Sequence, residues 1–471
     1  MRDKLFVGPK VRSLREQSNL TLDACAKQLG LSASYLSQIE TNQRPVTARV
    51  LIALARNFAL NPGDFDSDEE SRMIADLREA SADLALDAPV PGLPELKLAA
   101  ATTPSLARQF LALHRAYRGL HERMMRFDET VRIKTEDAPD SLIPYQEVRD
   151  FFHYRDNYID ELDVAAEALA ADIGIDGNVD PVTALERALG DRFGIRVARA
   201  ATADAGFIRR YDARAKVVML ARDLAEPTRA FQLATQLVDL LLSDSCTDVL
   251  ARAGLKSATA RDIARVGLTN YAAGALLMPY RQFAAAAMEL RHDIEQLQHR
   301  YNASFEQVSH RLSTLQRPGA RGIPFYFVRV DQAGNITKRH SSTRFQFARF
   351  GGACPLWNVH EAFGHPGRIL VQVAEMPDGI RYLCVGRSIV KRSGNYLQPN
   401  RHYAIGIGCE TAHADKVVYS EGLRLDGAAV PIGVSCRICE RPDCHQRAFP
   451  PLGRKLTVQV NERRVVPYAI E

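Results

Sequence analysis

Six of the chain's eight cysteines lie after residue 350: Cys354, Cys384, Cys409, Cys436, Cys439 and Cys444. The densest run is SCRICERPDCHQRAFPP, in which Cys436, Cys439 and Cys444 follow a C-x2-C-x4-C spacing. A C-x2-C pair brings two thiolates to one metal without strain, and the third cysteine can close around the same centre. Cys409 or Cys354 is the expected fourth ligand, with His445 and His360 as substitutes. Thiolate donors suit zinc or an iron–sulfur cluster. A set of reduced, partly buried thiols is the competing reading. Arg437, Arg441 and Arg447 interleave with the cysteines. With His445 they would form a site for an anion, such as a phosphate or the diphosphate of a coenzyme. They could equally pair with Glu440 and Asp443. Cys25 and Cys384 read as core positions, and Cys246 has no partner in sequence.

A second patterned stretch is TRAFQLATQLVDLLL (228–242), a helix with an extended apolar face, followed by TNYAAGALLMPYRQF (269–283). With the hairpin expected over 206–220, these resemble the ImmA/IrrE metallopeptidase-like domain. That family carries H-E-x-x-H on the first helix and A-x-x-L-L-M-P on the second. Here the zinc histidines fall at Thr235 and Asp239, the general-base glutamate at Gln236, and the further acidic ligand near Val266 and Gly267. The reaction needs two imidazoles one turn apart and a carboxylate to activate water. Threonine, glutamine and a lone aspartate do not supply them, so no peptidase is expected. Thr235, Gln236 and Asp239 either line a surviving ligand pocket or satisfy one another in a packed core.

The third stretch is LDACAKQLGLSASYLSQIE (22–40). Leu22, Cys25, Ala26 and Leu29 make one helical face. Gly30 suits a turn with positive φ. Ser32 then caps a second helix carrying Tyr35, Leu36 and Ile39. This is a helix-turn-helix, whose second helix enters the major groove. Ala33, Ser34, Ser37 and Gln38 are its expected outward residues. Gln38 can pair bidentately with adenine, while Thr41, Asn42 and Arg44 can hold phosphates. An ordinary helical hairpin is the alternative, but residues 1–61 carry nine basic against four acidic side chains. The stretch from about 8 to 61 resembles the Xre/Cro repressors. Many of those have Gln where this chain has Leu22, so that phosphate contact falls to Thr21 or Arg12.

Composition sets the frame. A length of 471 residues implies two to four domains. Hydrophobic residues at 46% and charged residues at 25% describe ordinary globular material. No apolar run suits a membrane span, and MRDKLF lacks a signal-peptide core. A cytoplasmic protein with reduced cysteines is expected. The net charge of +5 is mild, so basic surface should be local.

Four domains are expected. Residues 1–63 form the helix-turn-helix head. Residues 64–178 form a helical linker; its first part, 64–98, carries ten acidic and three basic residues. A long helix is expected from Pro104 to about Asp128, with Leu106, Phe110, Leu113, Tyr117 and Leu120 at helical spacing, and another from Pro144 to Ala171. Core packing or dimerisation would explain both. Residues 179–322 form the α+β peptidase-like domain. Residues 323–471 form an α+β or β-rich domain holding the cysteines. In its first strand Tyr326, Val328 and Val330 share one face, with Phe325, Phe327 and Arg329 on the other.

Taken whole, the order of parts resembles the short-chain fatty acyl regulator family of bacterial transcription factors. GGACPLWNVHEAF (351–363), IGIGCE (405–410) and CRICERPDCHQRAFPP (436–451) carry that resemblance. It implies a regulator of propionyl-CoA, glyoxylate-shunt or methylcitrate genes that senses an acyl-CoA thioester and carries an iron–sulfur cluster. Partners would be a double-stranded DNA operator and a second copy of the chain. A redox or metal sensor switched by the cysteines is the alternative, and an antirepressor peptidase a weaker one.

Overall fold

The computed structural model describes all residues except 1–7, 19, 42, 59–66, 83–89, 131–142, 176–179, 201–206, 348–352, 395, 452–453, 460 and 471. The chain divides into two compact units.

The first unit takes in residues 1–136 with 450–461 and 468–471. Its helices are α1 (Gly8–Gln17), α2 (Leu22–Leu29), α3 (Ala33–Glu40), α4 (Ala48–Asn57), α5 (Ser67–Ser81), α6 (Leu93–Thr102) and α7 (Pro104–Thr130). Val11, Cys25, Leu29, Leu36, Ile39, Val50 and Leu54 form the core of the head. A separate core joins α5, α6 and α7 through Met73, Leu77, Leu96, Ala100, Ala107 and Leu111. Of the expected apolar row, Phe110 packs against that core, and the side chain of Leu120 lies outside the described residues. Leu106 and Leu113 are 63% and 70% exposed, while Ala107, Leu111 and His114 face inward.

The second unit, residues 137–449 with 462–467, is larger. It begins with α8 (Ile143–His153) and α9 (Asp160–Ile173). The single helix expected over 144–171 is therefore two. The chain breaks at Asp156 and Asn157, whose φ values are 50° and 56°. Asparagine and aspartate tolerate that left-handed region best among residues with a Cβ. Then come α10 (Pro181–Phe193), β1 (Arg196–Arg199), β2 (Arg209–Asp212), β3 (Val217–Leu220), α11 (Glu226–Leu241), α12 (Ser243–Ala251) and α13 (Ala258–Leu277). The expected hairpin is β2–β3, and β1 adds in parallel to β3. A core built on Leu162, Leu185, Leu189, Val218, Leu233, Leu237, Leu268 and Leu276 fills this half.

Three helices follow: α14 (Tyr280–Glu289), α15 (Ile294–Tyr301) and α16 (Phe305–Leu312). Asn302 turns the chain at φ 44°, and Ser304 and Gln307 close a capping box. Next are β4 (Tyr326–Asp331), β5 (Ile336–Ser341), the short helix α17 (Asn358–Glu361), β6 (Leu370–Glu375), β7 (Arg381–Lys391), β8 (Arg401–Glu410) and β9 (Val430–Pro431). The six strands make one sheet in the order β5-β4-β8-β7-β6-β9. A two-stranded pair, β10 (Leu456–Thr457) with β11 (Ala469–Ile470), belongs to the first unit.

The strand period of two sorts the sheet's residues. Phe327, Leu383, Val385, Ile405, Ile407 and Cys409 face α14–α16. Tyr326, Val328, Val330, Tyr382, Cys384 and Ala404 face a second core with Phe345 and Trp357. Gly408 is needed there: a Cβ would sit 2.7 Å from the Tyr326 ring. Leu312, Leu315, Ile323 and Phe325 belong to the same core as Phe327. The change of pattern at 322/323 is thus a change of secondary structure inside one packed body.

Candidate functional sites

In the head, the cap of each helix fixes the next. Thr21 Oγ1 accepts from Ala24 N at 3.2 Å, and Ser32 Oγ from Tyr35 N at 3.2 Å. Gly30 turns at φ 68°, and Leu31 N donates to Ala26 O. Thr41 Oγ1 donates to Ser37 O at 2.8 Å. Ser34 and Arg44 are exposed, Ser37 and Gln38 half-buried, and Ala33 packs against the core. Arg44 also lies 5.4 Å from the Tyr35 ring centroid. Asn42 lies outside the described residues. Thr21 and Arg12 already have partners, since Arg12 Nε donates to Glu16 at 2.9 Å.

One part of the head was not read from the sequence. Arg15 of α1 makes a two-pronged pair with Glu40 of α3, at 2.7 and 3.0 Å, and donates to Leu20 O. The Glu40 hydrogen bond is the main cause holding the Arg15 pKa above its ordinary value. The pair fixes the end of α3 against α1. A carboxylate one residue after Ile39, at the end of a core-facing helix, was the available signal.

In the peptidase-like half, α11 does bring Thr235, Gln236 and Asp239 together, but their polar groups are already bound. Arg209 of β2 donates to Gln236 Oε1 at 2.9 Å and to Asp239 Oδ2 at 3.2 Å. Thr269 Oγ1 donates to Asp239 Oδ1 at 3.1 Å, and Thr235 Oγ1 to Phe231 O at 2.7 Å. A guanidinium therefore supplies the positive charge beside the positions matched to metal ligands. Gly267, near the expected acidic ligand, lies against Phe152, where a Cβ would come within 2.9 Å of the ring. Thr235, Gln236 and Asp239 do not satisfy one another, as the packed-core reading had it; Arg209, Thr269 and the Phe231 carbonyl take up their polar groups.

A buried ionic network ties this half to the next. Asp163 of α9 is fully buried; it accepts from Arg311 at 2.7 and 3.2 Å, Arg317 at 3.2 Å and Tyr271 Oη at 2.6 Å. Arg317 also reaches Glu167 at 2.8 Å and lies 4.1 Å from the Tyr280 ring centroid. Asp163 sits on the apolar face with Ala166 and Ala170, and a charge in that place was its sequence signal.

The cysteine loop differs. Cys354, Cys436, Cys439 and Cys444 line one small cavity with Ser435, Arg441 and Arg447. Gly433 forms a tight wall: a Cβ there would lie 2.9 Å from Cys439 Sγ. Cys409 is elsewhere, fully buried in the core between sheet and helices, where desolvation raises its thiol pKa strongly. Cys354 takes the place expected of it, because β8 points Cys409 to the other face. Among the described residues no three His, Cys, Asp or Glu side chains converge on one point in metal-binding geometry. The four thiols share a cavity without closing on one centre. His360 Nε2 is buried without a hydrogen-bond partner.

The arginines hold the loop itself. Arg441 donates to Ile432 O at 3.1 Å and Glu375 O at 2.6 Å. Arg447 donates to Cys436 O and Cys439 O, each at 3.3 Å, and to Arg441 O. Arg437 lies over the Phe449 ring. Arg441 and Arg447 thus clamp backbone carbonyls of the loop.

Family models match the same parts in order: a helix-turn-helix domain over 7–66, an IrrE N-terminal-like domain over 191–313, and the C-terminal domain of the short-chain fatty acyl coenzyme A regulators over 314–468. The chain is 49% identical to the propionyl-CoA carboxylase regulator of Cereibacter sphaeroides, across 100% of both chains.

The chain belongs to the short-chain fatty acyl coenzyme A regulator family.

This regulator is also 44% identical to the HTH-type transcriptional regulator PrpR of Mycobacterium tuberculosis, over 99% of this chain and 96% of that one. It is 41% identical to RamB of the same species, over 99% of each. A solved Mycobacterium tuberculosis transcriptional regulator matches with a TM-score of 0.66 and 48% identity, covering 69% of this chain and 99% of that one. The protein is a DNA-binding transcriptional regulator and not an enzyme. No described helix is long and apolar enough to cross a membrane.

Proposed function

We propose that this regulator controls genes of short-chain acyl-CoA metabolism, and that an acyl-CoA thioester sets its affinity for an operator. The observation that carries this reading is full-length identity of 49% to a propionyl-CoA carboxylase regulator. Ser34, Ser37 and Gln38 of α3 read bases, and Arg44 and Thr41 sit where phosphates pass. Two copies act together on paired half-sites, as helix-turn-helix proteins do.

The second element of the proposal is a metal centre in the cysteine loop. Cys354, Cys436, Cys439 and Cys444 supply four sulfur donors around one cavity, and Gly433 leaves the room that a side chain would fill. That donor set fits zinc or an iron–sulfur cluster. When bound, such a centre would cross-link the loop and, as a cluster, add a redox-sensitive state. Arg441 and Arg447 hold the loop through its backbone carbonyls.

The test is a mobility shift on the protein's own promoter region at fixed salt, because phosphate contacts make affinity salt-dependent. Propionyl-CoA, acetyl-CoA and free CoA are titrated in turn. A thioester should change affinity about 5–150-fold, as a coupling of roughly 1–3 kcal/mol gives. Binding indifferent to every thioester but altered by oxidation or chelation would move the switch to the cysteines. Gln38→Ala should cost about 1–3 kcal/mol of specific binding; an unchanged footprint would refute α3 as the reading helix.

A further inference from the structure

Three cations of the six-stranded sheet share one carboxylate. Glu306 of α16 accepts from Arg329 Nη1 of β4 at 2.7 Å on one oxygen and meets Lys391 Nζ of β7 at 2.6 Å on the other. The third cation is Lys338 of β5, directly across from Arg329 in the β4–β5 register. Like charges in that position repel. Among the described residues no carboxylate pairs with Lys338.

Its other neighbours add no negative charge. Lys338 Nζ lies 5.8 Å from the Phe327 ring centroid. His340 follows two residues along on the same face, with His310 of α16 against it. Both imidazoles are held neutral, and the groups of α8 that act on His340, Arg149 and His153, are basic too.

An amine in such a place sheds its proton readily. Burial is the main cause that holds the Lys338 pKa down, at about 8. Glu306 pulls it up, while Arg329 and Lys391 push it further down. About half of this amine is uncharged at pH 8, against roughly one in 250 for a lysine at its ordinary value. The uncharged amine is the nucleophile. It is not sealed in, since Lys338 is half-buried and β5 is an edge strand of the sheet.

We propose that Lys338 is an acylation site, modified by the acyl-CoA thioesters to which this regulator responds. The proposal rests on the reading that a thioester is the ligand, and it adds a covalent form of the response. The coenzyme's phosphates are negative, and the patch of Arg329, Lys338 and Lys391 around one carboxylate is positive, so the patch attracts the acyl donor. Lys338 Nζ then attacks the thioester carbonyl carbon. A C–N bond forms, the C–S bond breaks, and the coenzyme leaves as its thiol with the proton that the nitrogen gives up. The thioester supplies the acyl group, and no other reactant is consumed. The amide formed no longer titrates, and it stays on β5 after the free thioester is gone.

The test is mass mapping of the full chain after incubation with propionyl-CoA, with free coenzyme followed by chromatography. Lys338 should take up one propionyl group about tenfold or more faster than the exposed Lys256 and Lys416. Its rate should level off above about pH 8.5, while theirs climb on toward about pH 10. Lys338→Arg should remove the fast phase of coenzyme release. The mapping is made on the wild type, so its outcome does not depend on how the variant folds. Lys338 left unmodified, modified no faster than Lys256, or with a rate still climbing above about pH 9 would overturn the proposal. Lys338 acylated in a chain whose operator affinity ignores every thioester would uphold the site and sink thioester control. Operator affinity that shifts while Lys338 stays free would do the reverse.

Discussion

Two places in this molecule gather polar side chains from distant parts of the sequence, and they differ in what those side chains have found. On α11, Gln236 and Asp239 are taken up by Arg209 and Thr269, and Thr235 by its own helix. In the cysteine loop, the arginines are taken up by carbonyls, but the four thiols line a cavity. The first arrangement is complete as it stands. The second sets four sulfur donors around one cavity. A domain can thus keep the frame of a metal enzyme with its charge balance closed by a guanidinium, while a different part of the same chain offers the soft ligands.

The largest expected effect lies in the most complete site. Asp163→Ala leaves Arg311, itself 2% exposed, buried without its carboxylate. Such a loss should cost about 3–5 kcal/mol of unfolding free energy. Chemical denaturation of the variant measures it, and a cost near zero would mean that the network does not hold the fold.

The next effect separates the two sites directly. Thr235→His, Gln236→Glu and Asp239→His together restore the H-E-x-x-H spacing. Bound zinc should stay near background, because Arg209 still faces the site. Adding Arg209→Ala to the triple variant should raise it to about one per chain by elemental analysis. Zinc bound by the triple variant alone would show that the guanidinium is not what closes the site. Cys436→Ser with Cys439→Ser should instead abolish whatever metal the purified wild type carries.

Two smaller effects follow. His310 of α16 and His340 of β5 have ring centroids 4.9 Å apart, and His340 Nε2 has no hydrogen-bond partner. Burial, then the nearby Lys338, holds both imidazoles well below the ordinary histidine pKa. Arg311 and Arg329 also act on His310, and His153, Arg149 and Arg339 on His340. The unfolded chain therefore binds more protons than the folded one below about pH 6.5, and stability should drop as pH falls through that value. The slope should be at most about 1.4 kcal/mol per pH unit for each ring. Melting temperatures from pH 7.5 to 5 should flatten in His310→Gln with His340→Gln; an unchanged profile would place the titrating group elsewhere. Arg209→Leu should cost about 1 kcal/mol or less by denaturation, because the Asp239 side chain is 37% exposed and water screens it.

Much of this was legible in the sequence where a local rule sets the structure. Gly30, Ser32 and Ser304 mark turns and caps through their own backbone chemistry, and the alternation in β4 follows from strand geometry alone. The loss of H-E-x-x-H could be read position by position. The illegible parts depend on which face a segment turns inward. Leu106 and Leu113 read as the core row of α7, but a helix with two apolar sides does not say which is covered. Cys409 reads as the fourth ligand beside the C-x2-C pair, with Cys354 as the alternative, but strand parity in β8 sends Cys409 to the opposite face. Arg209, Arg15 and Asp163 lie 25 or more residues from the side chains they pair with, and no spacing rule connects them.

Trp357 is the chain's single tryptophan. Its amide donates to Cys354 O at 3.1 Å, and its ring lies among Tyr326, Phe345 and Phe347. The protein's tryptophan emission therefore comes from one indole held three residues from a cavity thiol. An iron centre in that cavity would quench it, and its removal would return the light. No dye or label is required: excitation near 295 nm would follow the state of the cysteine loop in the unmodified regulator while thioester or DNA is added.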